Sequence, residues 1–67
     1  MIAQGLPKGY IDLAFDKIIR QTDKAQLIDF GNNEVWIPDS QIDDIFEDTT
    51  GNTIILSEWI AKQKGLI

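Results

Sequence analysis

Turn-forming residues recur at short intervals along this chain, and they limit every element between them to a few residues. Gly5, Pro7 and Gly9 punctuate the start, and Thr22-Asp23-Lys24 comes after the first apolar stretch. Gly31-Asn32-Asn33, Pro38-Asp39-Ser40-Gln41 and Thr49-Thr50-Gly51-Asn52 divide the rest. Gly and Asn tolerate positive φ, Pro has no N–H for a ladder, and Asp, Ser and Thr bond back to their own backbone. A long helix has no room between such signals. Short strands joined by tight turns do.

Residues 1–9 are expected to form an irregular N-terminal arm, and residues 10–67 a single small β domain with a C-terminal helix. Residues 10–21 are open to two readings. Tyr10, Leu13, Ala14, Lys17 and Ile18 fit a helical stripe, while Ile11, Leu13 and Phe15 against Asp12, Ala14 and Asp16 fit strand alternation. The alternation breaks at Ile18-Ile19, where a strand needs a bulge. A strand over about 13–21 is favoured, because Ala25 to Phe30 reads as its return. Glu34 to Ile37 is the next strand, ended by Pro38, with a single 3₁₀ turn at Asp39-Ser40-Gln41. Ile42 to Asp48 alternates poorly, although Ile45 and Phe46 call for burial. Thr53 to Leu56 is β-branched and extended. Ser57 is placed to cap a short helix through Trp59, Ile60 and Ala61, with Glu58 in its first turn and Gly65 just past its end. The expected fold is mostly β: a five-stranded SH3-like or OB-like small barrel, or a curled sheet, with a short C-terminal α-helix.

The chain has 67 residues, room for one domain. A domain of this size buries only about 60% of the surface its unfolded chain exposes. Cys and His are both absent, which removes disulfides and the common zinc sets. Self-association is the remaining support, so a homo-oligomer is expected. The formal charge is −5, from 11 acidic and 6 basic residues. That sign opposes direct nucleic-acid binding and an anionic membrane surface. No signal-peptide pattern or membrane-length apolar run occurs, and the expected compartment is cytoplasmic.

Lys24-Ala25-Gln26-Leu27, Glu34-Val35-Trp36-Ile37-Pro38 with Ser40-Gln41-Ile42, Glu58-Trp59-Ile60-Ala61 and Lys64-Gly65-Leu66-Ile67 form a recognisable series. It resembles short, mostly uncharacterised proteins of bacteriophages and bacterial mobile elements. In those, a hairpin leads into a Trp-Ile-Pro-x-Ser-Gln segment and the chain closes on a Glu-Trp helix. The resemblance spans about two-thirds of the chain. The position before Ser40, often basic in that pattern, is Asp39 here. The resemblance implies a viral or mobile-element setting, with the host cytoplasm as compartment, and implies no activity.

Chemistry is sparse. No His or Cys catalysis is available, and the carboxylates Asp43, Asp44, Glu47 and Asp48 match no catalytic arrangement, so an enzyme is not expected. They do not fit a calcium loop either, since Ile45 or Phe46 would fall on a ligand position. No metal or cofactor is expected. Trp36 and Trp59 are the heaviest side chains, and one of them is expected to be exposed. With Val35 and Ile37 inward, Trp36 points outward. Trp59 is then the buried anchor of the terminal helix. Trp36, Ser40, Gln41, Asp43, Asp44 and Glu47 together suggest an acidic, aromatic-bearing face that binds a host protein, for example as an inhibitor occupying a basic groove. An alternative is a homo-oligomer holding a small nucleotide-like ligand on Arg20, Lys24 and Trp36. A small structural or assembly subunit is the third reading.

Overall fold

The computed structural model describes residues 6–67. The assigned part of the expected arm, residues 6–9, contains no strand and turns at Lys8-Gly9, where Tyr10 N–H donates to the Pro7 carbonyl at 3.0 Å. Residues 1–5 of that arm lie outside the described residues. Six strands come next: β1 (Tyr10–Phe15), β2 (Lys17–Gln21), β3 (Ala25–Asp29), β4 (Glu34–Pro38), β5 (Ile42–Asp48) and β6 (Gly51–Ser57). A 3₁₀ turn, Asp39–Gln41, joins β4 to β5, and helix α1 (Glu58–Gln63) ends the fold.

The strands form two three-stranded antiparallel sheets, ordered β1-β6-β5 and β2-β3-β4. The expected mostly-β class and terminal helix are present. Among the described residues the two sheets share no strand-to-strand ladder that would close a barrel. The expected single strand over residues 13–21 is two strands, because the chain bends at Asp16. This residue is tied to both sheets. Its N–H donates to the Asp29 carbonyl of β3 at 2.7 Å, and its carbonyl accepts from the Asn52 side chain of β6 at 2.8 Å. The helical alternative for this stretch is excluded by the pairing of Tyr10–Phe15 with Asn52–Ser57 of β6 and of β2 with β3.

One apolar core lies between the sheets. Ile54 and Leu56 of β6, Ile28 of β3 and Ile37 of β4 are fully buried, and Phe15 and Ile60 join them. Ile11, Leu13, Ile18, Val35, Ile42 and Ile45 pack against this cluster from the neighbouring strands. Bulges lie between Ile18 and Arg20 in β2 and between Ile42 and Asp44 in β5. Each adds one residue and reverses the inward–outward parity of the rest of its strand. The second explains why β5 alternates poorly: Ile42 and Ile45 lie three apart, yet both reach the core. Phe46, expected inside, therefore faces outward and is 49% exposed. Pro38 ends the pairing as expected: it is the last residue of β4 and stands opposite Ala25.

Helix α1 is held at both ends. Ser57 Oγ accepts from Ile60 N–H at 3.1 Å, capping the first turn. At the other end Gly65 takes φ +73°, Leu66 N–H donates to the Ala61 carbonyl at 2.8 Å, and Gly65 N–H donates to that of Lys62 at 3.1 Å. This is a Schellman ending, and its apolar partner Leu66 packs on the core. Ile60 and Ala61 are the buried helix residues. Trp59 is 59% exposed, so the expectation that it anchors the helix is corrected. Its neighbour Ile60 takes that role, because Ser57 sets the helical phase and turns position 60 toward the core.

Candidate functional site

The register determines the outer faces of the two sheets. In β1-β6-β5, Ile54 and Leu56 point inward, so Thr53 and Ile55 point outward. Asp12 and Asp44 flank Ile55 on either side, and Ala14 and Phe46 flank Thr53. Asp48 closes this face at the β5–β6 turn. There its carboxylate accepts from Thr50 Oγ1 at 2.6 Å and Thr50 N–H at 2.8 Å. These donors, the hydroxyl first, hold the Asp48 carboxyl below its ordinary value.

Charge is divided unequally between the sheets. The strands β1, β5 and β6 contain Asp12, Asp43, Asp44, Glu47 and Asp48 and no Lys or Arg. The strands β2, β3 and β4 contain Lys17 and Arg20 against Asp29 and Glu34. Everywhere else each basic residue is matched in number by an acidic one. The whole formal charge of −5 thus belongs to one sheet.

The expected binding set is distributed over these surfaces rather than gathered on one. Trp36 is 40% exposed and lies on the outer face of β2-β3-β4, since its neighbour Ile37 is fully buried. Ser40 is exposed on the 3₁₀ turn. Gln41 is engaged internally: its Oε1 accepts from Ser57 Oγ at 2.5 Å, joining the 3₁₀ turn to the helix cap. Asp43 is the extra residue of the β5 bulge. Asp44 faces outward and also accepts from Ile45 N–H at 2.8 Å. Glu47 belongs to the other parity and lines a cleft of about 300 Å³ with Ile18, Ile19, Arg20 and Gln21. Of the six, only Asp44 therefore shares the acidic outer face, where it stands with Asp12, Phe46 and Asp48. Both tryptophans are exposed, not one of the two.

The alternative set is closer together. Register places Arg20 and Trp36 on either side of Leu27, in one row across the outer face of β2-β3-β4, roughly 10 Å apart by strand spacing. Lys24 lies in the β2–β3 turn, and its carbonyl accepts from Asp39 N–H at 2.7 Å.

Sequence reading missed Phe46 and Asp12 as surface partners of the acidic run that ends at Asp48. The signal was Asp44-x-Phe46-x-Asp48, an alternating polar–aromatic–polar set hidden by the bulge before it. A second cleft, of about 210 Å³, is lined by Leu13, Phe30, Leu66, Asn32 and Asn33. Among the described residues no group of three or more acidic side chains is arranged to hold a metal ion, and no helix is long and apolar enough to cross a membrane. Comparison with protein-family models, curated proteins and solved structures finds no match to this chain.

Proposed function

We propose that this chain is a non-catalytic accessory protein of a phage or mobile element that binds a basic surface of a host protein in the host cytoplasm. The outer face of β1-β6-β5 is its contact surface. One observation carries the reading: the whole formal charge sits on the sheet that also exposes Phe46. An aromatic side chain set between Asp44 and Asp48, on a face that also carries Asp12, suits a partner that offers an apolar pocket among Lys and Arg side chains. A basic nucleic-acid groove has that chemistry, so the same contacts would inhibit by occupancy. The phage setting rests on the resemblance of the Trp-Ile-Pro-x-Ser-Gln segment and the terminal Glu-Trp helix. The six strands are read as an SH3-like or OB-like small barrel opened into two sheets, with β1 and β2 as one strand bent at Asp16.

The immobilised protein should retain a host protein that high salt and competing duplex DNA both release. Phe46→Ala and Asp44→Lys should each abolish retention while leaving the fold intact by circular dichroism. Unchanged retention by both variants would sink the reading.

A second reading is supported by the shared row of Arg20 and Trp36, which could stack and neutralise a small nucleotide-like ligand. Mass spectrometry of molecules released from the purified protein tests it; an empty protein counts against it.

A further inference from the structure

The outer face of β2-β3-β4 carries two rows of side chains whose ends differ in kind. Arg20, Leu27 and Trp36 stand opposite one another across β2, β3 and β4, and so do Lys17, Asp29 and Glu34. Both rows point outward, because Ile28, between Leu27 and Asp29 on the central strand, is fully buried. Each row is basic at the β2 end. At the β4 end one row is aromatic and the other acidic.

We propose that this face is where two copies of the chain pair, about a two-fold axis running along β3. Such an axis lays β2 of one copy over β4 of the other and keeps the rows level. Arg20 then meets Trp36 of the partner subunit, a cation on an aromatic face. Lys17 meets Glu34 of the partner subunit, an opposite-charge pair. Two-fold symmetry makes both contacts twice, and Leu27 meets its own copy on the axis. Asp29 also approaches its copy there. That repulsion is reduced, because its carboxylate is turned toward its own hairpin, accepting from Gly31 N–H at 2.7 Å.

The occupant is a second copy because the face complements itself. Its strands carry two basic and two acidic residues, arranged so that rotation exchanges their signs. The opposite sheet would repel its own copy, since its three strands contain only acidic charges. The pairing also covers Trp36, which is 40% exposed with no role in the core. It supplies the support that a chain without disulfide or zinc set lacks. The inference is independent of the proposed host contact, which uses the other sheet.

Native mass spectrometry and sedimentation of Lys17→Glu, Glu34→Lys and their mixture test the geometry. At about 100 μM the wild type should be a dimer, and each variant alone should dimerise more than about 100-fold more weakly, because each places like charges together twice. Mixed in equal amounts, the two variants should form a heterodimer, since each new charge then meets its opposite. Effects within one chain cannot restore association on mixing. If either variant fails to fold by circular dichroism, Arg20→Glu provides the same reading and should be monomeric. A monomeric wild type, dimeric single variants, a dimeric Arg20→Glu, or a mixture of folded variants that stays monomeric would each overturn the proposal.

Discussion

Sheets β1-β6-β5 and β2-β3-β4 are alike inside and opposite outside. Each contributes fully buried aliphatic side chains to one core, Ile54 and Leu56 from the first, Ile28 and Ile37 from the second. On their outer faces the first concentrates negative charge around Phe46, while the second balances Lys17 and Arg20 against Asp29 and Glu34. Burial fixes the inner faces, because an apolar side chain gains similar free energy on either sheet. The outer faces are released from that demand, and there the two sheets differ, one carrying only acidic charge and the other a balance of both signs.

The largest expected effect tests the shared interior. Ile54→Ala and Ile28→Ala should each cost about 2–5 kcal/mol, the usual range for truncating a buried aliphatic side chain. Urea denaturation should show one transition for both. Two separable transitions would mean that each sheet has a core of its own. Next is the contact that attaches the 3₁₀ turn and α1 to the first sheet. Ser57→Ala removes the cap and the bond to Gln41 together and should cost about 1–2 kcal/mol. Trp59→Ala, at an exposed position, should cost no more than about 1 kcal/mol. Thermal melts should therefore rank the small serine above the large tryptophan.

Charge substitutions sharpen the outer contrast. Asp12→Asn relieves repulsion on the acidic sheet and should stabilise by a few tenths of a kcal/mol at low salt, an increment that fades as salt rises. Asp29→Asn on the balanced sheet weakens the bond from Gly31 N–H and should destabilise by about 1 kcal/mol. Opposite signs at low ionic strength support the division, and equal signs break it. The smallest effect is at Asp48. A carboxylate with a depressed pKa stabilises the fold above its unfolded pKa, and that contribution is lost as pH falls through the folded value. An NMR titration of Asp48 should shift upward in Thr50→Ala, where the hydroxyl donor is gone.

Much of this was legible in the residues. The turn signals at Thr22-Asp23-Lys24, Gly31-Asn32-Asn33 and Pro38 set strand boundaries, because Gly and Asn accept turn conformations that other residues resist and Pro lacks a ladder N–H, whereas the expected turn at Thr49–Asn52 is shorter, with Gly51 and Asn52 already paired in β6. The Ser57 cap and the Gly65 ending were readable for the same reason, since both are satisfied within a few residues. Ile18-Ile19 announced its bulge through two adjacent aliphatic side chains. What failed depended on parity or on distant partners. The β5 bulge concealed that Phe46 faces outward. The bend at Asp16 rests on bonds to Asp29 and Asn52, both far along the chain. Gln41 resembled a surface ligand because nothing local reveals its bond to Ser57. The surface on which function is proposed was the least legible part, as it requires knowing which strands are neighbours.

Asp16 also has a consequence for how the molecule opens. Its side chain is exposed, yet its amide and carbonyl are committed to different sheets. Freeing the amide means parting the chain from β3, and that movement also disturbs the junction with β6. Hydrogen exchange at this position therefore reports separation of the chain from β3 at the junction of the two sheets, so that a solvent-facing aspartate should exchange its amide proton more slowly than the residues of the β3–β4 and β5–β6 turns.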